Sequence, residues 1–386
     1  MRLLNKILFC SHILPTLSIP VTSKTSQNHD ITPNKILDIL NGLTNTQINT
    51  IYNVNSDPVI PIYPKKKSTD TSYTLSEDEL RSAIHIPLEF QHCKGKQPIL
   101  LVPGTADPAG STFYFSYAKL LSNTSFADPV WVNIPNTSLS DTQLSSEYVA
   151  YAINYISDTC ISSPTKNDAT SIGMLSFSQG GINVQWALKY WPSTRDTVSD
   201  FMAISADFHG SKLEGICSGL NDTCTPAIRQ QGYESDFIHA LRKDGGDSAY
   251  VSTTSVYSGV DEVVQPQSGE NASAALNDVR DVGVSNTQVQ IACPGKRAGG
   301  FYTHESMLVN PVAYALFVDA LTHDGPGNLS RIDLKTVCDQ VVPPGLGKED
   351  LFGTEAMAIG YGLVDTLSYD DKGDGKEPSL MDYVQV

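Results

Sequence analysis

The stretch Ser176-Phe177-Ser178-Gln179-Gly180 is the segment of this sequence that most restricts the possible folds. It lies between an apolar run, 171–175, and a stretch with helical patterning, 182–190. A strand that turns sharply into a helix with a serine at the turn is a nucleophile elbow, and the turn lifts the hydroxyl clear of the backbone. Ser176 stands where this motif usually has glycine, so the motif needs support from the rest of the chain.

Around the elbow, short apolar runs alternate with helical patterns. Strands are expected at 97–102, 129–134, 171–175, 201–206, 253–257 and 287–292, and helices at 141–158, 182–190 and 310–322. This alternation predicts an α/β fold of the α/β-hydrolase type, with a mostly parallel central sheet and helices on both faces.

A nucleophilic serine needs a base, and an acid that orients the base, in the order serine, acid, histidine. Four histidines follow the elbow. His304 comes after the last expected strand on a glycine-containing loop, which suits a base. His239 and His323 belong to helical patterns and are interpreted as structural, while His209 precedes any suitable acid.

The acid is expected just beyond the strand at 253–257. Asp261 follows that strand and is the best candidate, and the adjacent Glu262 could orient an imidazole equally well. The simpler interpretation of Asp261 is a turn residue after a strand, where aspartate is common. Asp207, which follows its own strand, competes less well.

Negative charge on a reacting carbonyl oxygen needs two hydrogen-bond donors. Gln179, directly after the serine, supplies one backbone N–H. Pro103-Gly104-Thr105 follows the strand ending at Val102, and Thr105 offers a second N–H and a hydroxyl. Losing one such donor costs about 2.7–4 kcal/mol of transition-state stabilisation. The alternative for this tripeptide is a plain turn.

The bulk properties limit the partners of the chain. Its 386 residues can hold one large α/β domain or two smaller ones, and the net charge of -16 argues against nucleic acid or an anionic membrane. No run beyond the N-terminus approaches the roughly 20 apolar residues of a membrane span. No metal site or cofactor is expected, and a monomer is anticipated.

The N-terminal residues resemble a secretory signal peptide, with Arg2 and Lys6 before an apolar stretch, so 1–23 is predicted to be a leader. Residues 24–74 are rich in polar residues and proline and are interpreted as a pro-segment or flexible extension. The catalytic domain is expected over 75–386, starting near a capping box of Ser76 and Glu79.

Cysteines and glycosylation motifs also favour export. With Cys10 in the leader, six cysteines remain. Cys217 and Cys224 are expected to close a small loop and Cys293 to pair with Cys338, which leaves Cys93 for Cys160. The Asn-x-Ser/Thr sites are Asn123, Asn136, Asn221, Asn271 and Asn328.

Several segments together resemble the Candida antarctica lipase B-like family of fungal lipases. They are 98–105, 141–143, 178–181, 185–186, 261–267, His304 and 377–381, and Asp261-Glu262-Val263-Val264-Gln265-Pro266-Gln267 is the most distinctive. The resemblance implies a metal-independent ester hydrolase acting on acylglycerols. It implies the triad Ser178, Asp261 and His304, the oxyanion donors Thr105 and Gln179, Asp207 near the pocket, and a Cys293–Cys338 disulfide.

The chain departs from the family in places that bear on specificity. Ala106 and Asp107 replace small neutral or glycine residues beside the oxyanion loop, and Phe177 replaces a larger aromatic residue. Val130 occupies the place of the cysteine expected to pair with Cys93. The polar stretch 211–246 is interpreted as a lid or rim, or else a surface excursion. Residues 352–367 form a pocket wall or a core helix.

Three functions fit this sequence. The first is a secreted triacylglycerol lipase or carboxylesterase that works through an acyl-enzyme, with a lipid–water interface as one place where it would meet its substrate. The second is an acyltransferase or peptidase on the same fold, although no peptide-binding signature is present. The third is a non-catalytic binding protein, which is disfavoured because all three triad residues and both oxyanion positions are present.

Overall fold

A computed structural model describes residues 33–91, 93–161, 171–212, 224–370 and 375–384. Within it, Pro33–Val386 forms one compact unit. The predicted leader at 1–23, Cys217 of the predicted Cys217–Cys224 disulfide, and the glycosylation site at Asn221 lie outside the described residues.

Seven strands of the described chain form one sheet. They are β1 Ile84–His85, β2 Gln97–Val102, β3 Ala127–Val132, β4 Ile172–Phe177, β5 Val198–Ile204, β6 Ser252–Tyr257 and β7 Val284–Gln288. Their order is β1-β3-β2-β4-β5-β6-β7, and every neighbouring pair is parallel except the antiparallel β1–β3 pair. The predicted α/β fold with a mostly parallel sheet is confirmed.

The α-helices of the described residues connect or cover these strands. They are α1 Pro33–Leu43, α2 Glu77–Ser82, α3 Ala109–Tyr114, α4 Tyr117–Ser122, α5 Thr142–Ile161, α6 Gly180–Tyr190, α7 Pro226–Gln230, α8 Asp236–Arg242, α9 Val289–Ala292, α10 Pro311–Thr322, α11 Leu334–Cys338 and α12 Lys348–Ser368. The capping box at the start of α2 is present, because Ser76 and Glu79 exchange hydrogen bonds.

The sheet is buried on both faces, as a parallel sheet requires. Along β2, Leu100 and Val102 pack into the apolar layer beneath α5 and α6. The alternating residues Ile99 and Leu101 pack into the opposite layer, which α3, α4 and α10 cover. Both layers fix the register of β2, because a slip of one residue would exchange the two sets of side chains.

Strand β4 lies at the centre of the sheet, and this position locates the functional residues. Ser176 of β4 pairs with Val102 of β2 on one side and with Ala203 of β5 on the other. The carboxyl ends of these parallel strands therefore meet at one edge. In open parallel sheets this edge is where ligands bind.

The last predicted strand is partly wrong. Residues 287–292 were expected to be extended, but β7 ends at Gln288 and residues 289–292 form α9. The last residue of β6, Tyr257, pairs with Gln288, so the described sheet offers no neighbour for a longer strand. The α9 side chain of Gln290 instead bonds the N–H of Gly259, at 2.8 Å, in the turn after β6.

Packing begins earlier than the expected domain start at residue 75. The carbonyl oxygen of Ile48 accepts hydrogen bonds from Trp131 Nε1 at 2.8 Å and Asn133 Nδ2 at 2.9 Å. The N–H of Val59 donates to Asp158 Oδ2 at 2.6 Å. Ile48 and Val59 are thus bonded to residues in or next to β3 and α5, and the division of the chain at residue 75 stays a prediction.

Two disulfides join described cysteines. Cys93 is bonded to Cys160, and Cys293 to Cys338, each with a Cα–Cα distance of 5.3 Å. The glycosylation motifs that the structure describes have exposed asparagines at Asn123, Asn136, Asn271 and Asn328. No helix among the described residues is both long enough and apolar enough to span a bilayer.

Candidate active site

Ser178 occupies a strained turn between β4 and α6. Its φ of +53° lies in the left-handed region, which is unfavourable for a residue with a side chain. The turn is fixed by two backbone hydrogen bonds, from Ser178 N–H to Ile204 O at 2.9 Å and from Gly181 N–H to Ser178 O at 2.8 Å. The structure therefore forms the elbow geometry that the sequence suggests.

The glycines after Ser178 are needed for close packing. A Cβ at Gly180 would lie 2.6 Å from the carbonyl oxygen of Val102, and one at Gly181 would lie 2.5 Å from Ala206 Cβ. Ser176, at the unusual first position, is buried inside the sheet. Its hydroxyl has no hydrogen-bond partner among the described residues, so this position accepts a small side chain without using its polarity.

His304 and Asp261 form a buried pair beside the elbow. His304 Nδ1 lies 2.7 Å from Asp261 Oδ2, and the two residues are 3% and 1% exposed. The other oxygen of Asp261, Oδ1, accepts the N–H groups of Val263 at 2.9 Å and Val264 at 2.8 Å. These bonds fix the carboxylate, which in turn fixes the imidazole.

Glu262, the alternative acid, takes a different position. Its Oε2 accepts the backbone N–H of His304 at 3.1 Å, so it holds the loop and not the imidazole. The His304 ring also packs against the ring of Phe177, with centroids 4.8 Å apart. The imidazole therefore contacts the residue that directly precedes Ser178 in the elbow, and the Ser178 hydroxyl makes no hydrogen bond within the described ranges.

The charge around His304 is negative. Burial lowers the pKa of His304, but Asp261, Glu305 and Glu262 together raise it to about 9. Burial raises the pKa of Glu305 to about 7, and its Oε2 is buried without a partner in the described chain. An imidazolium is therefore strongly stabilised here, as a base that receives a proton during reaction requires.

The loop after β2 approaches the nucleophile closely. A Cβ at Gly104 would lie 3.0 Å from Ser178 Cβ. Thr105 Oγ1 donates to Gln179 Oε1 at 2.7 Å, and Gln231 Nε2 donates to Thr105 Oγ1 at 3.0 Å. The Thr105 hydroxyl is therefore already hydrogen-bonded to two side chains. The backbone N–H groups of Thr105 and Gln179, in contrast, have no hydrogen-bond acceptor in the described part of the chain.

Two further carboxyl groups predicted near the pocket are deeply buried. Both oxygens of Asp207, directly after β5, lack a partner among the described residues, and burial raises its pKa to about 7. Burial also raises the pKa of Asp107, helped by Glu305. A cleft of about 610 Å³ borders the adjacent Pro108 and is lined by Thr137 and Asp365, but not by Ser178.

The polar stretch 211–246 and the helix α12 both reach the site. Gln231, from the polar stretch, bonds the oxyanion loop, while residues 213–223 lie outside the described chain. In α12, Glu355 Oε1 accepts the hydroxyl of Thr303, at 3.2 Å, next to His304. Sequence reasoning missed Gln231 and Glu305, because neither belongs to a spacing pattern that marks it.

The side chains of the described residues provide no group of three or more histidine, cysteine, aspartate or glutamate ligands for a metal ion. The chemistry that the arrangement supports is nucleophilic attack by a serine, with a histidine base, an orienting carboxylate and two backbone donors.

Comparisons with known proteins show which proteins the chain is similar to. No family model matches the chain. Lipase B from Pseudozyma antarctica is 34% identical over 197 residues, which cover 51% of this chain and 54% of that protein, so the match spans about half of each. The crystal structure of Aspergillus fumigatus lipase B aligns with a TM-score of 0.83 and 51% identity, over 91% of this chain and 82% of that one. At this identity and coverage, the chain belongs to the lipase B family of fungal lipases, on the α/β-hydrolase fold.

Proposed function

We propose that the chain is a serine ester hydrolase, a triacylglycerol lipase or carboxylesterase, that acts through Ser178, His304 and Asp261. The observation that carries the proposal is the buried His304–Asp261 pair, 2.7 Å apart, beside a serine in a strained elbow. The relatives described above are named lipases, which supports the same activity.

In the first half of the reaction, Ser178 Oγ attacks the carbonyl carbon of the ester while His304 Nε2 takes the hydroxyl proton. Asp261 accepts the Nδ1–H of His304, which keeps the imidazole in the tautomer whose Nε2 is free, and stabilises the imidazolium that forms. The imidazolium then gives its proton to the leaving alcohol, and the acyl group remains on Ser178.

In the second half, His304 removes a proton from water, which attacks the acyl-enzyme and releases the carboxylic acid. In both halves the carbonyl oxygen becomes an oxyanion. The free N–H groups of Thr105 and Gln179 would receive it, each contributing about 2.7–4 kcal/mol. Because these donors are already oriented, little reorganisation is needed when the charge develops.

The substrate class and the route of the protein are part of the proposal. An acylglycerol at a lipid–water interface is the expected substrate. Secretion is supported by the leader-like N-terminus, by the two disulfides, and by the exposed asparagines of four glycosylation motifs.

Hydrolysis of p-nitrophenyl esters by Ser178→Ala and by the matched control Ser176→Ala tests the proposal. We expect Ser178→Ala to lower kcat by at least about 10⁴-fold, since the nucleophile and base act as a unit. Ser176→Ala should stay within a few-fold of the wild type, because the Ser176 hydroxyl contacts no polar group in the described chain.

Equal hydrolysis by Ser178→Ala and the wild type would reject the mechanism. An organophosphonate probe should label the wild type at Ser178 and leave the Ser178→Ala variant unlabelled. Ester panels from short to long acyl chains separate a lipase from an esterase, and adding a competing alcohol shows whether transfer to alcohol exceeds hydrolysis.

A further inference from the structure

The Asp107 carboxyl group faces the nucleophile across one backbone position. A Cβ built on Gly104 would lie 3.0 Å from Ser178 Cβ, 3.1 Å from Phe177 Cδ1 and 3.3 Å from Asp107 Oδ2. These three side chains therefore converge at Gly104. The Asp107 carboxyl group and the Ser178 side chain therefore lie on the same side of the Gly104 backbone, close enough to contact one substrate.

Asp107 is a buried residue whose carboxyl group has no protein partner on the oxyanion side in the described part of the chain. The residue is 5% exposed, and its carboxyl group makes no hydrogen bond or ion pair within the described ranges. Two other buried aspartates are paired, Asp319 with Arg331 at 2.7 Å and Asp350 with Lys119 at 2.7 Å, whereas Asp207 also lacks a partner among the described residues. A buried polar group without a partner is costly, so its retention calls for an explanation.

The charges around Asp107 restrict which kind of substrate group could bind its carboxyl group. The charged groups that act on it are Glu305, His304 and Asp365, two of which are carboxyl groups. Burial and Glu305 raise the pKa of Asp107 well above its usual range. The neutral carboxylic acid is therefore favoured, and it both donates and accepts a hydrogen bond.

A hydroxyl group matches this partner, because it also donates and accepts. A carboxylate would meet repulsion from Glu305 and Asp365, and an ammonium group would gain little from a neutral acid. In natural esters a hydroxyl close to the ester bond is typical of a partly acylated polyol, whose free hydroxyl lies two carbons from the ester oxygen.

We propose that Asp107 determines specificity by binding a free hydroxyl on the alcohol part of the substrate, so that partial esters of polyols such as glycerol are preferred. This inference rests on the proposed ester hydrolysis at Ser178. The Asp107 side chain contributes to substrate discrimination, and it takes no part in the proton transfers.

The test uses a matched pair of esters, 2-hydroxyethyl butanoate and propyl butanoate, which differ by a hydroxyl in place of a methyl group. We expect the wild type to have a kcat/KM about tenfold or more higher for the hydroxyethyl ester, as one substrate hydrogen bond in a buried site provides. If the wild type hydrolyses the two esters with a kcat/KM ratio near one, the inference is overturned without any variant.

Two substitutions separate binding from folding. Asp107→Leu removes hydrogen bonding at similar size and should bring the ratio near one, because kcat/KM for the hydroxyethyl ester should fall far more than kcat/KM for the propyl ester. Asp107→Asn keeps a donor and an acceptor and should retain most of the preference. An equal loss on both esters in Asp107→Leu, with a normal melting temperature, would show a role in supporting the loop and reject the inference.

Choline butanoate is a third substrate, with a cation and no hydroxyl. A preference for it over the hydroxyethyl ester would show an ionised Asp107 that binds cations, and would also overturn the inference. The proposed function fails by a different result, namely hydrolysis of both butanoate esters by Ser178→Ala. Ser178-dependent hydrolysis with a ratio near one leaves the hydrolase proposal intact and removes only the role of Asp107.

Discussion

The two sides of Ser178 differ in how their polar groups are satisfied. On the base side, the imidazole of His304, both oxygens of Asp261 and the backbone N–H of His304 all have partners. On the loop side, the N–H groups of Thr105 and Gln179 and the carboxyl group of Asp107 have none in the described chain. The protein itself supplies the partners of the His304–Asp261 pair, and we infer that the substrate supplies those of the loop side.

This difference follows from what each side does. A base must hold one tautomer and one orientation throughout the reaction, so partners that fix the ring are useful before substrate arrives. Donors that receive an oxyanion are most effective when they interact more strongly with the transition state than with the substrate. Leaving them unpaired costs stability in the free protein, which the two apolar layers of the sheet offset.

The largest effect on kcat is expected when the hydrogen bond that orients the His304 imidazole is altered. Asp261→Asn keeps the shape of the side chain but favours the wrong tautomer of His304, so kcat should fall by about 10⁴-fold. Steady-state kinetics on a p-nitrophenyl ester measures this. The control Asp319→Asn removes a buried carboxylate near the C-terminal end of α10, where it pairs with Arg331. This variant should have a lower melting temperature, with kcat within a few-fold of the wild type. Similar kcat values in the two variants would contradict the assignment of Asp261.

A smaller effect is expected from loosening the loop side. Gln231→Ala removes one of the two side chains that bond the Thr105 hydroxyl, so the free donors lose some of their orientation. We expect kcat to fall about tenfold, or about 1.4 kcal/mol of barrier, with little change in KM. The adjacent Gln230→Ala removes bonds to the Thr142 N–H and to Asp141 and should reduce stability without this loss of kcat. Equal kinetic losses would show that Gln231 acts only through folding.

The pH profile tests Glu305, whose charge acts on both His304 and Asp107. Hydrolysis needs neutral His304, so kcat/KM should rise with pH towards the pKa of about 9. Glu305→Gln removes a negative charge that favours the imidazolium. The pKa of His304 should therefore fall, and the acidic limb of the profile should move to lower pH.

Each unit by which that pKa falls raises the neutral fraction of His304 about tenfold at pH 7. The matched control is Glu355→Gln, since Glu355 bonds Thr303 and is not among the main charges acting on His304. Its acidic limb should remain where the wild type has it. A profile for Glu305→Gln that does not move, or that moves to higher pH, would exclude this electrostatic role.

The smallest effect concerns the backbone of the loop side. Ala106 has φ of +62°, a left-handed conformation that glycine adopts without strain. Ala106→Gly should raise the free energy of unfolding by up to about 1 kcal/mol, with kcat unchanged. Ala109→Gly, three residues later in α3, should lower it by about 0.5–1 kcal/mol. Thermal or denaturant unfolding distinguishes them, and destabilisation of both would argue that Ala106 is unstrained.

Much of the site could be predicted because it depends on local patterns. A strand, a turn with two glycines and a helix follow one another at Ser178, and each part is short in sequence. The order of Asp261 and His304 after it follows from the order of the strands. The end of β7 was misjudged because the length of an edge strand depends on its neighbour, and the residues 289–292 are apolar enough for either a strand or a helix.

The α/β class, the elbow and the chain order of nucleophile, acid and base could be predicted from the amino-acid sequence, because alternating strands and helices leave periodic patterns. Long-range packing was needed to show that Asp261 and not Glu262 contacts the imidazole, and that Gln231 bonds Thr105 across 126 positions. It also decided that Asp107 is left without a partner. Burial and pairing depend on residues far apart in the chain, and no local pattern records which distant groups the fold brings together.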